Sequence, residues 1–142
     1  MDFRLIVSRN EVEAPGLERS EIAPGIRLLF DPKSADLTFQ LSNDRKVYLW
    51  GDVFYMLNNE GTLLTGDLRS NLQRTFETQA LDRALQNIEG TFIGALVDPA
   101  SGRIDLFSDR FARVDCFYSQ TSWGLVASTS LDFIFSHVVA EY

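Results

Sequence analysis

Apolar and polar residues follow strand spacing through most of the chain and helical spacing in its middle. Short apolar runs, or apolar residues alternating with polar ones, predict four N-terminal strands at residues 3–8, 26–30, 37–42 and 47–56. Gly51 and Asp52 interrupt the longest of these strands, which indicates a bulge or a close backbone approach. Acidic residues and two Ala-Pro-Gly segments predict an exposed connection between the first two strands.

Two helical stretches are expected after the fourth strand. Apolar residues share one face of residues 68–76, and Asp67 is placed to cap the N-terminus of this helix. Residues 79–88 again carry apolar residues at helical spacing, and Gly90 is expected just past the end of that helix. The pattern leaves open whether the two stretches form one kinked helix or two.

The rest of the chain is typical of a meander of four strands joined by three turns. The strands are expected at residues 91–97, 103–108, 114–118 and 125–129, followed by a short terminal helix or coil. The polar corner after the second of these strands contains Phe111, which is expected to be buried. Because strands both precede and follow the helices, the order favours an α+β fold over alternating βαβ units.

Composition indicates one domain, residues 1–142, with a sizeable core, since 45% of the residues are hydrophobic. The net charge of −7 argues against nucleic acid or an anionic membrane as the main partner. The single cysteine, Cys116, excludes an internal disulfide. Since no signal-peptide pattern and no membrane-spanning apolar stretch is present, a cytoplasmic location is expected.

Few motifs of catalysis or cofactor binding are present. The sequence has no glycine-rich phosphate loop, no dinucleotide fingerprint and no histidine-containing metal pattern. Any Ser-His or Cys-His couple depends on His137, the only histidine. Cys116 is expected to be a buried, inert thiol. Trp50 and Trp123 could stack on a ligand, although core packing is the more common role. Two carboxylate pairs are expected on solvated surface: Asp105 with Asp109, and Glu11 with Glu13.

The second half of the chain resembles one protein family. The stretches that carry the likeness are Ile-Glu-Gly-Thr-Phe-Ile-Gly-Ala-Leu-Val-Asp at 88–98, Phe-Ser-Asp-Arg-Phe-Ala at 107–112, Cys-Phe-Tyr at 116–118 and Val-Ala-Ser-Thr at 126–129. In order and spacing they are similar to the N-terminal glutaminase domain of asparagine synthetases, a class II glutamine amidotransferase. Trp-Gly-Asp-Val-Phe-Tyr at 50–55 looks like that family's Asn-Gly-Glu-Ile-Tyr-Asn.

This resemblance implies a single glutamine amidotransferase-like domain with an Ntn-hydrolase-like fold. That fold is an α+β, four-layer αββα sandwich with mostly antiparallel sheets. The likeness covers about residues 47 to 135, whereas the first forty residues match the family only in being rich in strands.

The chain departs from this family at the catalytic positions. The family's nucleophile is the cysteine after the initiator Met, where this chain has Asp2. The family's oxyanion-donating Asn corresponds to Trp50, whose side chain cannot take that part in the same geometry. Gly51 is kept, and the acidic residue after it is kept in type as Asp52. The resemblance therefore implies a degenerate site at these four positions, with no confident catalytic residue.

The function that the resemblance implies is that of a non-catalytic scaffold or docking domain for a synthetase domain, either C-terminal or separately encoded. Such domains begin β-lactam synthetases and lasso-peptide cyclases, where a following domain forms an amide with ATP. ATP and Mg are expected only in that partner, with no cofactor or metal here, and a homodimer stays open. Two alternatives remain: a free-standing module that keeps the cavity for a small ligand, and an active hydrolase with another nucleophile.

Overall fold

Nine strands and three helices make up residues 1–138, the part of the chain that this computed structural model describes. In chain order they are β1 (Arg4–Ser8), β2 (Glu18–Ala23), β3 (Ile26–Phe30), β4 (Leu37–Gln40), β5 (Lys46–Met56), α1 (Leu68–Thr78), α2 (Leu81–Gln86), β6 (Ile88–Asp98), β7 (Arg103–Ser108), β8 (Phe117–Gln120), β9 (Gly124–Ser128) and α3 (Leu131–Val138). Two single-turn 3-10 helices lie at Pro32–Ser34 and Ser42–Asp44. None of the helices in this part of the chain is long and apolar enough to cross a membrane.

The strands form two antiparallel sheets. One has five strands in the order β2-β3-β1-β9-β8, and the other has four in the order β4-β5-β6-β7. Apolar side chains from both sheets form one buried cluster between them. Its aromatic centre is made of the rings of Phe3, Phe30, Tyr48 and Trp50, which meet mostly edge to face. The central layer of the molecule is therefore a sheet-on-sheet core.

Short helices cover part of the outer face of each sheet. Leu72 and Phe76 of α1 are buried against the four-stranded sheet, together with Ala84 of α2. Phe133 and Ile134 of α3 are buried against the outer face of the five-stranded sheet. Each helix buries one stripe of side chains and leaves the remainder in solvent, which is the behaviour of an amphipathic surface helix.

The predicted four-layer αββα sandwich of the Ntn-hydrolase type is wrong. Strands account for 43% of the molecule and helices for 22%, so this is a β-rich fold of two sheets with three helices. The described helices are too short to form full layers, since α2 has 6 residues and the described part of α3 has 8. The prediction of mostly antiparallel sheets is confirmed.

The two predicted helical stretches form separate helices. Asp67 caps α1 as predicted, because its carboxylate accepts a hydrogen bond from Ser70 N at 3.2 Å. Gln79 and Ala80 have extended backbone angles, with ψ of 152° and 146°, and so break the helix between α1 and α2. The predicted role of Gly90 is wrong, since this residue lies inside β6.

The predicted four-strand meander is also wrong. β6 and β7 belong to the four-stranded sheet, whereas β8 and β9 belong to the five-stranded sheet. The chain crosses between the sheets through residues 109–116, and the third predicted strand begins only at Phe117. The connection expected between the first two strands contains β2, an edge strand whose first four residues are all exposed and polar. Because these residues are all polar, the alternation of apolar and polar residues by which the other strands were predicted is missing from β2.

Residues 109–113, the Asp109 corner, hold this crossover in place. Asp109 is 2% exposed, contrary to the predicted solvated surface, and its carboxylate accepts hydrogen bonds from the N–H groups of Phe92, Phe111 and Arg113. Such bonds satisfy a buried charge that would otherwise be costly. The predicted burial of Phe111 is wrong, because the residue is 58% exposed.

Two arginines fasten the Asp109 corner to the start of β6. Arg110 and Arg113 both pair with the carboxylate of Glu89, at 3.0 and 2.9 Å. Their guanidinium groups lie over the ring of Phe111, 4.7 and 4.8 Å from its centroid. Glu89 is only 8% exposed, so its charge is compensated locally.

Replacing Ala112 by glycine should stabilise the protein. Its φ of 48° lies in the left-handed region, which costs a residue with a Cβ about 1 kcal/mol or more. Ala112→Gly is therefore expected to raise the free energy of unfolding by up to about 1 kcal/mol, after the greater entropy of unfolded glycine is subtracted. Urea denaturation measures the change.

Ala100→Gly is the matched control for this prediction. Ala100 is also exposed, in the turn between β6 and β7, but its φ is outside the left-handed region. There glycine should destabilise the protein by about 0.5 kcal/mol through unfolded-state entropy. Equal losses at both positions would show that Ala112 carries no backbone strain.

Candidate functional site

The N-terminus meets β5 at the predicted site. The ring of Phe3 packs against the indole of Trp50, with centroids 4.8 Å apart. The side chain of Met1 lies over Gly51, close enough to contact any Cβ placed there. Three of the four predicted positions, Asp2, Trp50 and Gly51, therefore gather at one end of the sandwich.

Asp2 is engaged in a surface ion pair. Its Oδ1 accepts a hydrogen bond from Arg4 Nε at 3.1 Å, and its side chain is 69% exposed. A solvated carboxylate held by a guanidinium is a weak nucleophile towards an amide, and nothing in this position resembles an activated thiolate.

Trp50 is a core residue. It is 1% exposed, and its ring lies among the aromatic rings between the two sheets. Its Nε1–H donates to Ser34 Oγ at 2.9 Å, which satisfies the only polar group of the side chain. The prediction that core packing is the more common role is confirmed for this residue, and its side chain has no donor left for a bound oxyanion.

Gly51 adopts a conformation that requires glycine. Its φ is +117°, and a Cβ there would overlap the carbonyl oxygen of Thr91 on β6. The predicted close backbone approach is thus confirmed, while the bulge of β5 lies slightly further on, between Val53 and Tyr55.

The N–H of Gly51 is already occupied by a carboxylate. It donates to Oδ2 of Asp36 at 2.7 Å. In an amide hydrolase, a backbone N–H at such a place would stabilise the negative oxygen of the tetrahedral intermediate. Here the negative charge of Asp36 takes the donor and repels a second anion, so this group cannot act as an oxyanion donor in the observed geometry.

Asp52 lies apart from this contact. It is exposed and pairs with Thr91 in the register of β5 and β6. Its carbonyl oxygen packs so closely on Gly90 that a Cβ at Gly90 would overlap it. The two glycines therefore let β5 and β6 approach closely on either side of Asp52.

A cleft of about 220 Å³ opens beside Asp2. Its lining mixes charged, hydroxyl and apolar groups: Asp2, Arg4, Pro15, Gly16, Leu17, Asp31 and Ser34. Sequence reasoning missed the contributions of Asp31, Ser34 and Asp36. The Asp-Pro pair at 31–32 was a usable signal, because Asp31 caps the 3-10 turn that presents Ser34 to Trp50.

Cys116 departs from its predicted burial. The residue is exposed and precedes β8 instead of lying within a strand. Its surroundings still remove enough water from the sulfur to raise the pKa of the thiol, with only partial compensation from the backbone of Ser128. The thiol is therefore protonated at neutral pH, and its lack of reactivity stays a prediction.

His137 does not form a catalytic couple with the serine beside it. The Nδ1 atom lies 3.0 Å from Ser136 Oγ and 3.0 Å from the carbonyl oxygen of Phe133. A carbonyl can only accept, so a hydrogen bond to Phe133 O requires the tautomer with the proton on Nδ1, in which Nδ1 cannot take a proton from the hydroxyl. Ser136 itself donates to the same carbonyl, at 2.9 Å.

No family model matches the sequence, and no curated protein matches it significantly. Across residues 1–138, no group of three or more His, Cys, Asp or Glu side chains is placed to hold a metal ion.

Gly51→Ala should be strongly destabilising. The added Cβ would overlap Thr91 O in a backbone conformation that alanine avoids, so the variant is expected to lose about 3 kcal/mol of unfolding free energy. Gly16→Ala is the matched control, since Gly16 has a φ of +84° but open space around it. That variant should lose only about 1 kcal/mol. Urea denaturation of both proteins measures the difference, and equal losses would contradict the close approach of β5 and β6.

Proposed function

We propose that this chain is a non-catalytic, glutamine amidotransferase-like domain of an asparagine synthetase-like, ATP-dependent amide-forming system. It acts there as a scaffold or docking part for a synthetase domain, which binds the ATP and Mg. The sequence likeness over about residues 47 to 135 supports the family, and the hydrogen bond from Gly51 N–H to the Asp36 carboxylate supports the loss of catalysis. We also propose a cytoplasmic location, consistent with the absence of a cysteine pair.

Amide hydrolysis needs a nucleophile and a free oxyanion donor at the same carbonyl. Asp2 stands where the family has its nucleophile and is paired with Arg4. Trp50 stands where the family has its donor and is buried. Restoring either group alone would leave the other defect, and the carboxylate of Asp36 would still face the incoming negative charge.

A surface rich in aromatic and arginine side chains supports the docking role. Tyr55, which is 44% exposed, pairs across the strands with Glu89, and Glu89 holds the two arginines of the Asp109 corner. These arginines flank the exposed ring of Phe111. Aromatic residues and Arg are enriched at the centres of protein interfaces. We call Tyr55, Phe111 and the two arginines the docking face.

A second candidate function is that of a free-standing module for a small ligand. The cleft beside Asp2 favours it, because a guanidinium, two carboxylates and a hydroxyl converge there. A ligand present at a hundred times its dissociation constant would stabilise the fold by about 2.7 kcal/mol. A clear rise in melting temperature with glutamine, asparagine or a nucleotide that is lost in Arg4→Gln, a variant of the cleft lining, would favour this candidate over the first.

The purified chain should release no ammonia from L-glutamine. Asp2→Cys should remain equally inactive, because Trp50 and Asp36 still remove the oxyanion donors. A coupled ammonia assay, with an active glutaminase as positive control and heat-treated protein as blank, measures this. Ammonia release by the wild-type chain well above the blank would overturn the non-catalytic assignment.

The docking role predicts binding to a synthetase domain encoded after residue 142 or by a neighbouring gene. Phe111→Ala should weaken the co-purified complex by about tenfold, because an exposed aromatic flanked by arginines is a typical interface anchor. Tyr118→Ala is the matched control: this aromatic residue is 71% exposed but lies on β8, outside the docking face. Equal binding by both variants would place the interface elsewhere, and no binding by wild type would refute the docking role.

A further inference from the structure

A groove of about 700 Å³ opens where the edge strands β2 and β4 face each other. Its volume is within the range of small-molecule sites, roughly 300–1,000 Å³. None of its lining residues lines the cleft beside Asp2. The groove is therefore separate from that cleft, and ligand binding in it does not depend on the proposed function.

Polar side chains of the five-stranded sheet point into this groove. Glu18 and Ser20 of β2 pair with Phe30 and Leu28 of β3, which belong to the core between the sheets. Residues that pair directly across antiparallel strands share one face of the sheet. Glu18 and Ser20 therefore face inward, towards the other sheet.

Polar side chains of the four-stranded sheet point into the groove from the opposite wall. Thr38 and Gln40 of β4 pair with Tyr48 and Lys46 of β5, and Tyr48 belongs to the core between the sheets. Thr38, Gln40 and Lys46 therefore also face inward and line the groove. Inward positions of a sandwich are normally apolar, so a set of polar ones around one cavity marks a place built for something other than packing.

The groove is closed to an added β-strand on the β4 side. Arg69 of α1 donates to Thr38 O, at 2.6 Å, and Gln73 donates to Gln40 O, at 3.0 Å. These bonds occupy the carbonyl groups that a neighbouring strand would need. Arg69 also stacks on Phe39, 4.9 Å from the ring centroid, which fixes its cation at the rim. A small molecule is the occupant that fits this geometry.

The floor of the groove is aromatic. The rings of Phe30 and Tyr48 meet edge to face, with centroids 4.8 Å apart. Burial raises the pKa of the Tyr48 phenol, and the charge of Glu18 raises it further. The phenol is therefore neutral at physiological pH and keeps a hydroxyl donor in the groove that Lys46 and Arg69 also line.

We propose that this groove binds a small molecule with an anionic phosphate or carboxylate group and an apolar body. Lys46 and Arg69 hold the anionic group, and the rings of Phe30 and Tyr48 support the body. Glu18, on the opposite wall, accepts a hydrogen bond from an amine or hydroxyl of the same molecule and disfavours ligands that are anionic throughout.

The sequence contains only two lysines, Lys33 and Lys46, and only Lys46 lines the groove. Labels on the two amines can therefore test the proposal directly. Reductive methylation with ¹³C-formaldehyde labels both ε-amines and the α-amine of Met1, whose lower pKa sets its signal apart in a pH series, and keeps the charge of the lysines. The labelled chain is titrated with phenyl phosphate in one arm and with phenylacetate in the other, at constant ionic strength. The Lys46 signal should shift and saturate while the Lys33 signal stays in place, and the arm with the lower midpoint identifies the preferred anion.

Two variants of equal charge change complete the experiment. In isothermal titration calorimetry with the preferred compound, Lys46→Gln should weaken binding by about fivefold, whereas Lys33→Gln, which alters an exposed residue outside the groove lining, should leave it unchanged. The proposal fails if neither compound moves the Lys46 signal, or if both lysines shift with one midpoint. Either result would mean that the inward-facing charges of Glu18 and Lys46 serve only to keep the edge strands from pairing with other chains. The titration of wild-type protein decides the matter even if a variant folds poorly.

Discussion

Burial of the Trp50 indole between the sheets is the contact on which much of this structure depends. The N-terminal strand reaches it through Phe3, the third strand through Phe30, and the following 3-10 turn through the hydroxyl of Ser34. A large aromatic side chain contributes several kcal/mol when it is fully buried and its N–H is satisfied. The same contact orients β5, so that the next residue, Gly51, meets both β6 and the carboxylate of Asp36.

Local signals in the sequence were sufficient for much of the secondary structure. The long apolar runs of β5 and β6, the cap at Asp67 and the glycine at position 51 each follow from residue types within a few positions. These features depend on backbone preferences and on side-chain periodicity, which a single sequence displays directly. The proximity of the N-terminus to Trp50 was predicted only from the resemblance to a family.

Other features depend on partners far along the chain. The crossing of residues 109–116 from one sheet to the other has no local signature, so the predicted meander was wrong. Asp109 was predicted to be a surface residue. The three backbone N–H groups that bind its carboxylate, in the corner itself and in β6, meet only in the folded chain and leave no pattern in the sequence. Asp36, which decides the chemistry at Gly51, lies 15 residues before it in an unremarkable polar stretch.

The packing of Trp50 also constrains how this chain can change. Replacing the indole by a small amide would leave a void between Phe3 and Phe30 and remove the partner of Ser34. Such a truncation typically costs about 3–5 kcal/mol, against a total stability of about 5–15 kcal/mol for a domain. Selection for folding alone is therefore enough to preserve this tryptophan. The position is therefore constrained, and any stepwise replacement of this tryptophan by a polar donor would have to pass through poorly folded intermediates.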